Sequence, residues 1–394
     1  MTALSHDAFA QGFCEDHFDE LLHLAPMRMR GLETWAVPSA ERLRVDKRLL
    51  GHLRGLVSRP EAAWRRLDAW VEQNGPGEVP MLVAGLLVGF DARAAWRDAL
   101  AAWLDHCASP YALAREWQRW ARHVAKDAVF QPPASDDAAI AAQLRLAAAV
   151  TPEAADAAVA SIPHVSPDSV LEAVARTVLA FGLPRFEPDL VALTRADAAP
   201  VREAAQAALL RIAPQRAAAA VDAPAWAHID TPEWFLRAAL ALPGHRVESW
   251  VARLDADDRA REALWCAAAS GCASLLGYVE GKTADPVLGP LAVLCRTALA
   301  GEAPGSARRE SRADAATEHA SAPTHLLDGR PASVAHACAL LRDGTQLQRV
   351  IAGYWLESRH PGYHADPCAP AFAWPSPPRA PVTAWPASDT TRSR

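Results

Sequence analysis

The feature that most constrains this chain is a small-residue apolar helix that follows an acidic turn and returns in imperfect copies. Its clearest instance is DAAPVREAAQAALLRI at 197–212. There Asp197 closes a turn, Pro200 starts a helix, and Val201, Ala205, Ala208 and Leu209 fall on one face at helical spacing. Arg202 stands where it would pair with Asp197 or with an acid of the preceding turn. Superposing Val170 on Val201 aligns VLEAVARTVLAFG with VREAAQAALLRIA at a spacing of 31. RLDADDRAREALWCAAASG and KTADPVLGPLAVLCRTALAG have the same form, about 28 residues apart. Units that cannot each bury their own apolar face must stack, so the pattern predicts a solenoid.

The earlier part of the chain predicts a bundle. PSAERLRVDKRLLGHLRGLV (38–57) offers Ser39 as a cap, with Leu43, Leu50, Leu53 and Val57 at helical spacing. In the next segment Pro60 opens a helix lined by Ala63, Trp64, Leu67, Trp70 and Val71, which Asn74-Gly75 ends. VPMLVAGLLVGF (79–90) is well short of a bilayer span of about 18–20 residues and reads as a buried helix. Asp91 is then a cap for a helix presenting Ala95, Trp96, Ala99, Leu100 and Trp103. Alternating strand patterns are missing, so the expected class is all-α. With 14 Trp among so many alanines, large rings fill the gaps between closely approaching helices; a Trp-lined binding surface is the competing reading.

The expected organisation is an amino-terminal helical bundle (1–130), a right-handed repeat solenoid (135–300), a charged mobile loop or linker (301–325), a carboxy-terminal helical pair (326–365) and a Pro-rich tail (366–394). Trp374 and Trp385 would pin that tail to the body or serve as recognition residues.

A formal net charge of −6 over 394 residues gives no general attraction for nucleic acid or anionic membrane. Arg42, Arg44, Lys47, Arg48, Arg54, Arg59, Arg65 and Arg66 concentrate near the amino terminus. They alternate with Glu41, Asp46, Glu61 and Asp68, as on solvated helix faces rather than a phosphate-tracking surface. The seven cysteines, without a CxxC, read as free and mostly buried thiols, and the acidic start lacks the basic residues of a secretory signal. A cytoplasmic protein is the expectation.

No nucleotide-binding, zinc-protease or serine-hydrolase motif is present: GxGxxG before a helix, GxxxxGK[ST], HExxH and GxSxG are all missing. Cys14, His17 and His23, with Asp16 and Glu20, lack a second ligand-bearing arm for zinc. His360, His364, Asp366 and Cys368 are a denser cluster, but helix capping and tail packing account for it. Cys272 has no neighbouring base, and His52 reads as a packing or hydrogen-bonding residue. The chain is therefore expected to be no enzyme and to hold no cofactor or metal, with nucleic acid and small molecules disfavoured as ligands.

Two segments, ERLRVDKRLLGHLRGLVSRPEAAWRRLDAWVE (41–72) and LLDGRPASVAHACALLRDGTQLQRVIAGYWLESRHPG (326–362), resemble the two ends of a bacterial family of HEAT-repeat-like proteins encoded in type VI secretion clusters. Asp46, Arg48, Leu49, His52, Leu53, Gly55 and Leu56 look like its amino-terminal signature, here with Leu50 as an added apolar position. Gly329, Pro331, Leu340, Leu341, Gly344, Gln346, Gln348 and Arg349 carry the later part of the likeness. The resemblance implies a HEAT-like α-solenoid that binds a secretion effector or a spike or tip component as adaptor or chaperone. An immunity protein covering a toxin is the alternative, and a HEAT-like enzyme or nucleic-acid-binding protein the second alternative. Candidate partner-binding residues are Arg48, His52, Arg202, Arg349, Trp374 and Trp385.

Overall fold

The structure, a computed structural model, describes residues 6–91, 93–107, 110–125, 145, 152–220, 231–301, 325–360, 363, 366 and 368–371. Most of the expected 301–325 linker, His364, and the tail from residue 372 on, with Trp374 and Trp385, lie outside the described residues. By internal contacts the chain forms two units. The first is Met1–Ile212 with Cys368–Ala373, and the second is Ala213–Pro367 with Trp374–Arg394.

The protein is all-α, with many helices packed against one another. In the first unit run α1 (His6–Thr34), α2 (Ser39–Val57), α3 (Pro60–Asn74), α4 (Glu78–Phe90), α5 (Ala94–Leu104) and α6 (Pro110–Val124). These six share one apolar core, from Phe18, Leu21 and Leu24 on α1 to Trp117 and Trp120 on α6. Pro60 opens α3, and Gly75 at φ 80° ends it, as the sequence indicates. Helix α4 is buried almost throughout, from Pro80 to Gly89. A glycine is required at its centre: a Cβ on Gly85 would lie 1.8 Å from Cε2 of Trp117. The indole thus lies against the α4 backbone and donates from Nε1 to the Met81 carbonyl at 3.1 Å.

Four local expectations are corrected. Pro38, not Ser39, holds the N-cap of α2, in extended conformation and without a side-chain capping bond. Asp91 terminates α4 instead of starting α5, whose N-cap is Arg93; Arg93 donates to the Asp91 carboxylate at 2.9 Å. The buried stripe of α2 is Arg42, Asp46, Leu49, Leu53 and Leu56, whereas Leu43, Leu50 and Val57 are half-buried. Mutual neutralisation lets two charged residues occupy core positions, and the helix face is set by them. On α5, Trp96, Leu100 and Leu104 are buried while Ala95 is exposed.

The first unit continues through α7 (Pro152–Ala160), α8 (Asp168–Phe181), α9 (Glu187–Leu193) and α10 (Ala199–Ile212). Helix α10 packs on α8 and α9. Val201, Ala205, Ala208 and Leu209 are buried in it, as their spacing predicts.

The second unit holds α11 (Pro214–Ala220), α12 (Pro232–Ala241), α13 (Gly244–Ala256), α14 (Ala260–Ser270), α15 (Leu276–Gly281) and α16 (Gly289–Ala300). A two-stranded antiparallel hairpin follows, β1 (Leu326–Leu327) and β2 (Arg330–Pro331), then α17 (Val334–Asp343) and α18 (Gln346–Arg359). Helix α14 is buried from Ala263 to Ser270 and packs against α12, α13 and α16. Helix α18, buried from Gln346 to Glu357, packs on α12, α16 and α17.

Both units contain one order of elements. Helix α8 ends at Gly182 (φ 62°), a 3-10 turn Pro184–Phe186 follows, and then short α9 and long α10. Helix α14 ends at Gly271 (φ 63°), followed by a 3-10 turn Ala273–Leu275, short α15 and longer α16. A left-handed residue at a helix end is glycine's usual place. Among the described residues no helix is long and apolar enough to cross a membrane.

Candidate functional site

All the described tryptophans but Trp35 are buried or pack against the interior. Trp64 stacks on Trp96 and Trp103 with ring centroids 4.8 and 5.6 Å away, and Trp234 meets Trp250 edge-on. The thiols are free. Burial pushes up Cys14, Cys266, Cys272, Cys295 and Cys338, which disfavours the reactive thiolate. No cluster of three or more His, Cys, Asp or Glu suited to a metal occurs among the described residues.

Of the described candidate partner-binding residues, Arg48, His52 and Arg202 belong to the first unit and Arg349 to the second. Arg48 is exposed on α2 and pairs with Glu20 of α1 at 2.9 Å. His52, one turn on, is half-buried, and its Nδ1 lies 2.8 Å from Nδ1 of His17. One ring must donate and the other accept, so the pair holds at most one added proton without losing its bond. Burial and the mutual proximity of the rings lower His17. Burial also lowers His52, with Arg48 adding to the effect and Glu20 opposing it. Arg202 binds the backbone carbonyls of Ala196 and Asp197, not an acid, and so closes the turn before α10. Arg349 is only 3% exposed within α18 of the second unit. Arg48 and His52 are thus neighbours on α2, while Arg202 belongs to α10 of the same unit.

Much of the basic amino-terminal set is bound within the protein. Arg66 pairs with Asp19 at 2.7 Å, and Arg54 donates to the His123 carbonyl. Arg42, expected on a solvated face, is 5% exposed. Its carboxylate partner explains the burial.

That partner belongs to a cluster that sequence reasoning did not assemble. Asp46, fully buried on α2, accepts from Nε of Arg28 on α1 at 2.9 Å, and Nε of Arg42 lies 3.6 Å from its other oxygen. Arg28 also approaches Glu116 of α6 at 3.5 Å, and its guanidinium lies 5.3 Å from the ring centroid of Trp120. Trp120 Nε1 in turn donates to Glu116 at 3.2 Å. A short segment far along the chain docks here. Arg28 donates to the Cys368 carbonyl, Arg42 to the Ala369 carbonyl at 2.7 Å, and the Ala371 N–H donates to Asp46 at 2.6 Å. Pro370 is buried. A signal that could have found Arg42 and Asp46 is the helical spacing that puts them on one face with Leu49, Leu53 and Leu56, but the Leu43–Leu50–Val57 stripe competed with it. Nothing local in the sequence points to Arg28 or to residues 368–371.

In the second unit Arg237 of α12 is held by Glu357 of α18 at 2.8 Å and by Glu233 at 3.1 Å, over the Tyr354 ring. Burial opposes the charge, yet the acids and Tyr354 outweigh it, and the guanidinium is more firmly protonated than usual. This pair fixes α18 against α12.

Fold and site together define a multi-helix all-α protein whose described polar clusters bind its own segments together. Comparison with known protein families, with curated proteins and with solved structures finds no match to this chain.

Proposed function

We propose that the chain is a non-catalytic protein-binding scaffold of the HEAT-like kind, working with a type VI secretion apparatus as adaptor or chaperone for an effector or a spike or tip component. The observation that carries the scaffold reading is the shared order of long helix, left-handed glycine, 3-10 turn, short helix and long helix in α8–α10 and α14–α16. Such units stack into extended surfaces suited to proteins rather than small molecules. Support for a non-catalytic role comes from the titratable groups: buried Arg28, Arg42, Asp46, Arg237 and Glu357 are paired internally, and the perturbed cysteines are shifted away from reactivity. The secretion context rests on the resemblance of 41–72 and 326–362.

Deleting the gene from its native bacterium tests the role. An adaptor predicts healthy cells that no longer deliver one effector to competitors, with secretion otherwise intact. Killing of the deletion strain by its siblings would point instead to immunity. Unchanged delivery and unchanged survival would sink both.

A further inference from the structure

Cys368–Ala371 sits on the first unit as a bound peptide would. Among its hydrogen bonds to Arg28, Arg42 and Asp46 are three that use main-chain atoms: two carbonyls accept and one N–H donates. Those bonds are available to any segment with the same backbone path. The buried position between them in sequence is Pro370. A proline has no N–H, so burying it strands no donor.

The receiving side also has contacts of its own. With the segment in place Asp46 is 0% exposed, and Arg28 and Arg42 are 6% and 5% exposed. The carboxylate pairs with both guanidiniums, while Glu116 and Trp120 hold Arg28 from a third helix. Removing residues 368–371 would leave these charges still compensating one another, so the occupant is exchangeable at a cost set by the hydrogen bonds it makes.

We propose that Arg28, Asp46 and Arg42 form a recognition site for a proline-anchored peptide, occupied within the chain by Cys368–Ala371. A partner protein presenting a small–proline–small segment enters in its place. The proposal rests on the protein-binding reading and names a surface for it. A peptide titration on the purified chain reports on this site alone, so its failure is distinct from the outcome of the deletion strain.

The probe is a fluorescent peptide of residues 366–373 with serine for the cysteine, compared with the same peptide N-methylated at the alanine corresponding to Ala371. It is titrated by anisotropy against the full chain and against Ala371→Pro, which lacks the N–H given to Asp46. Alkylation of Cys368, mapped by mass spectrometry, reports release of the resident segment. Ala371→Pro is expected to speed alkylation about fivefold or more and to bind the peptide about tenfold more tightly than the parent chain. N-methylation should weaken binding about tenfold, the effect of one hydrogen bond to a charged acceptor. In the unaltered chain, excess peptide should speed Cys368 alkylation and the N-methylated peptide should not; this arm decides if Ala371→Pro fails to fold. Unchanged alkylation in both arms, equal affinity of the peptide for the two chains, absence of saturable binding, or indifference to N-methylation would each overturn the proposal.

Discussion

At the scale of single residues, the polar groups of this protein act mainly by being partnered inside it, and the histidines give that a pH signature. His17, His52 and His325 are all lowered by burial, His325 to about 4 with Arg359 adding to the effect. An unfolded histidine titrates near 6.5, so between that pH and the folded values the unfolded chain binds more protons. Their contribution to stability is therefore complete above about pH 7 and is lost as pH falls through the window below about 6.5. For His325 the loss is on the order of 3 kcal/mol by pH 4. Urea unfolding at pH 7.5 and pH 5 should show a lower midpoint at pH 5, with His325→Gln flattening the difference. An equal or higher midpoint at pH 5 would contradict the assignment. Arg42 and Asp46 teach the complementary lesson. Their identity was legible, and so was their alternation with other charges, but not their burial. The partners that neutralise them, Arg28 and the backbone of residues 368–371, come from other parts of the sequence.

At the scale of elements, local signals worked where the deciding atoms are local. Pro60 and Gly75 bracket α3, the apolar run at 79–90 becomes buried α4, and Pro200 falls in the first turn of α10. They failed where a neighbour decides, as for the register of α2 and the roles of Ser39 and Asp91. The segment 326–349 shows what several of its resemblance-bearing residues do physically. Asp328 and Gly329, at φ 51° and 71°, make the two-residue turn of the hairpin, as an Asp-Gly pair suits. Their N–H groups close the end of α16, donating to Ala298 and Leu299 at 2.8 and 3.0 Å. Thr345 and Gln348 form a reciprocal capping box on α18, and Gln348 also donates to Asp328 at 3.0 Å. The turn, the helix end and the cap are one connected device. A Cβ on Gly329 would lie 2.2 Å from the Ala300 carbonyl oxygen, in a backbone conformation that already disfavours side chains. Gly329→Ala is accordingly expected to cost about 2 kcal/mol or more of stability in denaturant unfolding. A loss below about half that would show that the hairpin does not secure the end of α16.

At the scale of the whole molecule, the class was legible because an all-α chain needs only its 3.6-residue period and its stops to be recognised. The return of residues 368–371 to the first unit was not, because it joins positions more than 320 residues apart through backbone atoms. Whether the protein acts on molecules or holds them is the central question, and we read it as a holder of proteins. The most direct measurement is affinity isolation of the tagged full chain, expressed at natural level in its native cells, with quantitative mass spectrometry of what accompanies it. The account predicts stoichiometric recovery of a secretion effector together with a spike or tip component. Recovery of no protein above background would contradict it.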